Sequence, residues 1–358
     1  MLDFILKRIG YGFFVLLGVV TLVFFLFNVL PGDPARMMLG QRADQESVEI
    51  IQKDLGLDKP ILTQYLYYLN DLSPISFHKS SSDKSRYLDD TKYSYIKIYS
   101  GKENVVVLKK PYLRRSYQSK RQVTDILSEA FPNTMLLAII SMGFAFIVGV
   151  TLGSLSAIFK DSWFDRINLS VIVLGMSLPS FFAAIIFAWL FAYVLAPYTG
   201  LSMFGSLYSV DVLGRGEYID LKNIILPAFT LGIRPLAVIS ELTKSSLLDV
   251  LSQDYIRTAR AKGLSKYQVL RRHALKNSMN PVITSVSGWF ASLMAGAVFV
   301  EYIFDWKGVG VVIVDGLEKY DFPVVMGALL IICVLLVMIN IVVDILYGIL
   351  DPRVRIAK

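Results

Sequence analysis

The sequence predicts an all-α membrane protein with six transmembrane helices, both termini in the cytoplasm and a small external subdomain. Apolar residues make up 54% of the 358 residues and charged residues only 18%, whereas soluble domains carry near 25% charged residues. The mean hydropathy is +0.55. Several uncharged stretches also reach the roughly 20 residues that are needed to cross a bilayer core about 30 Å thick.

Charge and residue counts exclude several other classes of protein. The net charge of +7 fits cytoplasmic loops rich in lysine and arginine, so we expect a lipid bilayer and no nucleic acid as partner. A single cysteine, Cys333, excludes an internal disulfide framework. With only two histidines, His78 and His273, a His/Cys metal cluster is nearly excluded, and we expect no cofactor.

Six apolar stretches define the predicted spans. Residues 1–30 form the cytoplasmic N-terminus and the first helix. A signal peptide is the alternative there, but the apolar run is longer than a signal's apolar core of about 7–15 residues, and no small-residue cleavage site precedes Pro31. The other spans are predicted at 134–159, 167–196, 224–248, 281–303 and 323–350.

Two of these spans carry prolines with expected roles. Pro179 lies within the third span, so we expect a tilted or Pro-kinked single helix there. Asn280 and Pro281 are expected to cap and to begin the fifth span.

The charges of the short loops predict the orientation. Segment 240–280 contains eight basic and three acidic residues, and the tail 351–358 contains three basic residues and one acid. Segments 197–223 and 304–322 contain more acids than bases. Because positive loops stay in the cytoplasm, six spans with both termini inside are consistent. Splitting 167–196 into two helices would place the basic segment outside.

Residues 31–133 are predicted to form the external subdomain, with an inserted segment at about 74–112. Segments 93–99 and 105–108 have the residue pattern of a β-hairpin. Apolar spacing within 46–70 is helix-like and restarts at Pro60. The polar, serine-rich stretch 78–90 is expected to be a mobile link, and the region carries no recognisable chemistry.

The cytoplasmic segment 252–280 has the pattern of a helix–Gly–helix element. Ser252 is expected to cap a short helix, and Gly263 follows that helix at a position where the left-handed conformation is favoured. Residues 265–268 match a capping box that begins a second short helix, expected to end near 277. Ala259 and Gly263 would form a small face that lets a partner approach. An interfacial segment that binds lipid headgroups is an equal alternative.

The same segment carries a resemblance to a known family. Residues 255–264 read Tyr-Ile-Arg-Thr-Ala-Arg-Ala-Lys-Gly-Leu, and residues 272–277 read Arg-His-Ala-Leu-Lys-Asn. This resembles the cytoplasmic loop of ABC importer permeases of the oligopeptide/dipeptide/nickel family, on the side of the first permease subunit. The general family loop has Glu-Ala-Ala, three residues and then Gly. Here Arg257, Thr258 and Ala259 take the first three places, and Gly263 is the glycine.

Other stretches extend the resemblance over nearly the whole chain except about 74–112. They are 30–34, 56–60, 131–134, 300–304, 308–310 and 351–353. The resemblance implies a type I ABC importer permease fold in the bacterial inner membrane. It also implies as partners a homologous second permease subunit, two ABC ATPase subunits and an extracytoplasmic solute-binding protein.

The resemblance further implies a coupling role for the loop and a cargo of short peptides. The implied coupling residues are Tyr255, Arg257, Ala259, Arg260, Ala261, Gly263 and Leu264. We expect no enzyme activity, because the Gly-x-x-x-x-Gly-Lys-Ser/Thr nucleotide loop is absent and ATP hydrolysis would belong to partner subunits. The alternatives are import of nickel or another small solute on the same fold, or a stand-alone channel or secondary transporter.

Arg234 and Glu241 are candidates for lining the translocation pathway, because ionisable residues within spans are functional candidates by default. They lie seven residues apart and therefore share one helix face. The alternative is structural, with Glu241 paired to Lys244 at i, i+3. We favour the structural role for Glu241 and leave both roles open for Arg234.

Overall fold

The computed structural model describes residues 2–29, 45, 48–49, 52, 57–79, 88, 92–101, 104–210 and 216–350. Most of these residues are helical. The main helices are Leu2–Val29 (α1), Ile61–Leu72 (α2), Val123–Ile158 (α3), Trp163–Ser177 (α4), Ser180–Phe187 (α5), Ala196–Thr199 (α6), Ile225–Leu251 (α7), Asp254–Ala261 (α8), Lys266–Val269 (α9), Leu275–Phe304 (α10), Val309–Glu318 (α11) and Phe322–Leu350 (α12).

The fold divides into two compact units. The first unit comprises residues 1–12, 130–311 and 334–358, and the second comprises 13–129 and 312–333. Among the described residues, four helices are long and apolar enough to cross a membrane, at Leu6–Asn28, Val123–Ile158, Leu221–Leu251 and Phe322–Val343. Two bent helix pairs bring the number to six if each pair is counted as one span.

The third predicted span is two helices rather than one kinked helix. The chain bends by 113° between α4 and the segment Ser180–Val194, where α5 continues as the π-helix Ala188–Val194. Leu178 is extended, with φ −77° and ψ 125°, because a residue before proline avoids the α-helical region. The prediction of a single helix over 167–196 was therefore wrong.

Two other spans begin earlier than predicted. α3 starts at Val123 and contains Pro132, and α10 contains Pro281. Asn280 and Pro281 therefore lie inside a helix, and the prediction that they begin the fifth span was wrong. Prolines inside apolar spans are tolerated because neighbouring groups satisfy the freed carbonyls.

The first unit is built around α7. Among the four single-helix spans, the span that contains α7 is the most buried, with 67% of its most apolar segment inside the structure. Gly149 and Gly153 of α3 let α7 approach closely. A Cβ at Gly149 would lie 2.9 Å from the carbonyl oxygen of Leu236, and one at Gly153 would lie 2.3 Å from that of Ser240. The Gly-x-x-x-Gly pattern of α3 therefore serves helix packing. In the same unit, strands Tyr208–Val210 and Glu217–Ile219 pair antiparallel before α7.

The second unit contains a three-stranded antiparallel sheet. Its strands are Ile75–Lys79 (β1), Tyr95–Ser100 (β2) and Asn104–Lys109 (β3), in the order β1-β3-β2. The predicted hairpin is confirmed as β2 and β3, whereas β1 was not predicted. His78 lies buried in β1, so the prediction of a mobile link from residue 78 was wrong at its start, and 80–87 and 89–90 lie outside the described residues.

The start of α2 after Pro60 agrees with the predicted restart. Of the helix-like stretch before it, Val48, Glu49 and Gln52 are helical, and the other residues from 46 to 56 lie outside the described residues.

Candidate coupling surface and transmembrane charges

The turn around Gly263 has the predicted local geometry. Gly263 has φ +83°, in the left-handed region that glycine adopts without strain. The capping box is complete, since the Ser265 amide donates to Gln268 Oε1 at 3.0 Å and the Gln268 amide donates to Ser265 Oγ at 3.3 Å. The Ser252 prediction was wrong. Its hydroxyl donates to the Asp249 carbonyl at 2.7 Å at the end of α7, and Gln253 precedes α8.

α8 presents one face to its own chain and the other to the outside. Ile256 and Ala259 are 0% and 7% exposed, and they pack in a cluster with Leu247, Val269 and Ala274. The small face predicted at Ala259 is therefore covered by the chain itself. Leu264 also packs against this cluster. The remaining predicted coupling residues are exposed, namely Tyr255, Arg257, Arg260, Ala261 and Gly263.

The second short helix does not end near 277. α9 continues through the π-helix Leu270–Ala274 into α10. The buried cluster joins α8 to the end of α7 through Leu247, and to the 269–274 segment through Val269 and Ala274. Asn277 of α10 also donates a hydrogen bond to the Tyr255 hydroxyl at 3.1 Å. The exposed face of α8 is thus held between two spans of the first unit.

Arg234 and Glu241 both lie exposed on α7, and neither has a charged or hydrogen-bonded partner among the described residues. The predicted ion pair between Glu241 and Lys244 was wrong. Lys244 instead donates to Asp165 Oδ1 at 2.5 Å. The outward stripe continues to Ser245, whereas Leu231 and Thr230, before Arg234, are buried. From Arg234 to Ser245, α7 therefore carries an exposed stripe that includes the two charged residues Arg234 and Glu241.

The buried polar contacts by which α4 holds α7 were not predicted from the sequence. Asn168 of α4 is buried and donates to Ser156 Oγ at 2.7 Å and to Ser240 Oγ at 3.2 Å. Asp165, one turn before Asn168, forms the ion pair with Lys244. The sequence did contain one indication of these contacts, because Asp165 and Asn168 lie three residues apart and therefore share one face of α4.

Glu301 lies buried near the end of α10, and its carboxylate accepts from the Gly310 amide at 2.6 Å. A Cβ at Gly310 would lie 2.5 Å from Val298 Cα in the backbone of α10, so this position requires glycine, whereas a Cβ at Gly308 would meet the Glu301 carboxylate. The neighbouring Val309 amide donates to Thr134 Oγ1 at 2.8 Å. These contacts fix the turn between α10 and α11 against the first residues of the predicted second span.

No group of three or more His, Cys, Asp or Glu side chains suited to a metal ion occurs within the described part of the chain.

Comparison with known proteins assigns the class. Residues 149–356 match the family described as binding-protein-dependent transport system inner membrane component, and residues 1–82 match the N-terminal part of such components. The chain belongs to this family. It is a multi-pass inner-membrane permease subunit of an ABC importer, and as such it is not an enzyme. Neither match includes residues 83–148, which contain β2 and β3.

Individual relatives cover the whole chain. The di/tripeptide transport system permease protein DppB of Pseudomonas aeruginosa (strain UCBPP-PA14) is 34% identical over 373 residues, covering 99% of each chain. The glutathione transport system permease protein GsiC of Escherichia coli (strain K12) is 32% identical over 356 residues, again covering 99% of each. The solved inward-facing MetNI methionine ABC transporter matches 64% of this chain and 97% of its own, with TM-score 0.50 and 15% identity, which concerns the fold alone.

Proposed function

We propose that this chain is the permease subunit of an importer for short peptides, with both termini in the cytoplasm. It pairs with a homologous second permease subunit, receives cargo from an extracytoplasmic solute-binding protein and is driven by two ABC ATPase subunits. The observation that carries the proposal is the exposed basic face of α8, anchored on its other side to α7 and to the 269–274 segment. A helix fixed in this way transmits a partner's movement to the spans more directly than a flexible loop.

The proposed cargo rests on the relatives and on the charges of α7. DppB is named for di- and tripeptides and GsiC for glutathione. Arg234 and Glu241 lie seven residues apart on the exposed stripe, a rise of about 10 Å at 1.5 Å per residue. An extended tripeptide also spans about 10 Å. A zwitterionic peptide of two or three residues therefore matches the two charges in sign and in spacing.

The coupling proposal is tested by reversing the exposed charges of α8. In the reconstituted complex, the double change Arg257→Glu and Arg260→Glu is expected to abolish peptide-stimulated ATP hydrolysis and uptake while membrane insertion is retained. Lys160→Glu is the matched control, since Lys160 is an exposed basic residue between α3 and α4 and outside α8, and it is expected to leave both activities unchanged. Full activity of the double variant would refute docking on α8.

A second variant distinguishes a role of Gly263 in the turn after α8 from a direct contact with an ATPase subunit. Gly263→Asn keeps a residue that tolerates the left-handed region but adds a side chain where the chain leaves open space. If Gly263 serves only the turn, coupling survives this change. If an ATPase contacts the turn closely, the variant loses coupling although the chain still folds.

The cargo proposal is tested on α7. Arg234→Gln and Glu241→Gln are expected to reduce dipeptide and tripeptide uptake while assembly with the ATPases persists, because they lie outside the α8 face. Ser245→Ala, on the same exposed stripe, is the uncharged control and is expected to retain uptake. Unchanged uptake in both charge variants, or competition by a nickel salt but not by peptides, would contradict the peptide assignment.

A further inference from the structure

The outward face of the external sheet is apolar although nothing in the described chain covers it. Ile75, Leu108 and Ile96 lie opposite one another across β1, β3 and β2, and Ile96 is 70% exposed. Phe77 and Tyr99 flank Val106 in the next row, and each is 64% exposed. Exposed apolar patches of this kind mark interaction surfaces. We call these six side chains the apolar face.

The other face of the sheet is already occupied. Ser76 and His78 of β1 and Val105 and Val107 of β3 are buried, and the two valines pack with Leu88, Tyr93 and Tyr95. The two faces follow the alternation of a half-buried strand. The apolar face is therefore the side that remains available for a partner.

α2 places the start of the sheet close to the edge of the bilayer. Tyr65 of α2 forms a hydrogen bond of 2.6 Å between its hydroxyl and Thr21 Oγ1, and the Tyr68 ring lies 5.4 Å from that of Phe24. The apolar span of α1 ends at Asn28, so Thr21 lies about 10 Å inside it. α2 thus lies beside the outermost turns of a membrane span.

The exposed side of α2 is apolar and continuous in the chain with the sheet. Leu62 and Leu66 are exposed on α2, as expected for residues that contact lipid. β1 begins three residues after α2 ends. Asn70 fixes the junction, because its side chain accepts from the Phe77 amide at 2.9 Å and donates to the Phe77 carbonyl at 3.2 Å. One end of the apolar face is therefore held next to a lipid-facing helix.

The charge of this region matches an anionic surface. Residues 91–122 contain nine basic residues and one acid. Of the nine, Arg114 and Arg121 are paired with Asp71 and Glu129, and Lys109 is buried. Lys92 and Lys110 are exposed next to β2 and β3. Tyrosine and lysine next to apolar side chains are typical of the membrane–water interface.

We propose that the apolar face of the external sheet lies on the outer leaflet of the bilayer and is held there by anionic phospholipid headgroups. The assignment to the outer leaflet rests on the proposed orientation of the chain. A permanent lipid contact fits this face better than a solute-binding protein, because a partner that leaves after delivery would expose six large apolar side chains to water in each cycle. Of the strands that form the apolar face, β2 and β3 lie outside both family matches, whereas β1 lies inside the N-terminal match.

The test measures the reaction of single cysteines with a membrane-impermeant maleimide in the full complex in nanodiscs. On a Cys333→Ala background, Ile96→Cys and Phe77→Cys place the thiol on the apolar face. Ser100→Cys is the matched control, because Ser100 is exposed but lies opposite the inward-facing Val105. If the apolar face contacts lipid nine-tenths of the time, its two variants react about tenfold more slowly than the control. Replacing zwitterionic lipid by phosphatidylglycerol is expected to slow them further.

Three results would overturn the proposal. Equal, fast reaction at all three positions would mean that the face is in water. Protection of Ile96→Cys and Phe77→Cys only after a solute-binding protein is added would assign the face to that protein. Slow reaction at all three positions would mean that the protection is not confined to the apolar face. Nanodiscs expose both sides of the membrane, so the result does not depend on the orientation. Peptide uptake by the same variants in sealed proteoliposomes tests the proposed function separately.

Discussion

Adding a single methyl group at Gly153 tests whether the contact between α3 and α7 holds the transmembrane unit together. A Cβ at this position would lie 2.3 Å from the Ser240 carbonyl oxygen and 2.8 Å from Thr243 Cβ. The first of these atoms belongs to the backbone of a helix, so it cannot turn away as a flexible side chain would. α7 must move as a whole to admit the methyl group.

The expected magnitude follows from two opposing effects. Overpacking a well-packed core costs about 1–3 kcal/mol, whereas Gly→Ala in a helix is favourable by about 0.8–1 kcal/mol when nothing clashes. Gly143, on the same helix, has no atom within 4 Å of an added Cβ. The helix gain applies to both variants, so Gly143→Ala should stabilise slightly, and Gly153→Ala should be less stable than Gly143→Ala by the overpacking cost of about 1–3 kcal/mol.

The assay is thermal unfolding of the purified chain in mild detergent, with both variants compared with the unchanged protein. The apparent Tm is expected to fall for Gly153→Ala and to stay equal or rise for Gly143→Ala. Gly153→Ala should also weaken peptide-stimulated ATP hydrolysis, because Ser240 beside it accepts the hydrogen bond from Asn168. If the two variants unfold at the same temperature, close packing at Gly153 is not what joins these helices.

Three further outcomes are expected. Asp165 and Lys244 form an ion pair in which their side chains are 9% and 23% exposed. Asp165→Asn leaves the Lys244 ammonium without its anion, so thermal unfolding should show that the free energy of unfolding falls by about 1–3 kcal/mol. Adding Lys244→Met to this variant should restore part of the loss. Asp321→Ala removes the acceptor for the Tyr117 amide at 2.9 Å, so trypsin should cut faster at Lys120, and unchanged cutting would contradict the tether. Burial lowers the pKa of Lys109 to about 8. Between about pH 8 and 10.4 the unfolded chain then binds more protons, so unfolding free energy should rise with pH there, and Lys109→Met should abolish the rise.

Features set by neighbouring residues were predictable from the sequence. Gly263 ends α8 in the left-handed conformation and Ser265 forms its capping box, because both depend on residues within four positions. The β2–β3 hairpin was predictable for the same reason. β1 was not, because its partner β3 lies about 30 residues further along and the strand itself is short.

Features set by tertiary contacts were not predictable. Lys244 lies three residues from Glu241 and pairs instead with Asp165, because α4 packs on α7 and brings that carboxylate to Lys244. Ala259 has the small side chain expected at a docking surface, yet it fills the chain's own cluster. The size and spacing of side chains identify residues that permit close packing, but they do not show whether the chain itself or a partner subunit packs there.

This distinction changes what the proposed coupling helix can transmit. If Ala259 faced an ATPase, α8 would be clamped only by its partner and could shift on its own spans. Because Ile256 and Ala259 are instead packed against Leu247 and Ala274, a push on the exposed arginines must move the end of α7 and the start of α10 together. Arg234 and Glu241 lie on α7 itself, so the same displacement would carry both charges. Loosening the inner cluster by Ile256→Ala should therefore uncouple ATP hydrolysis from peptide uptake while the ATPases still bind, whereas reversing the outer arginines should prevent binding. If Ile256→Ala leaves uptake per ATP unchanged, α8 does not act as a rigid link.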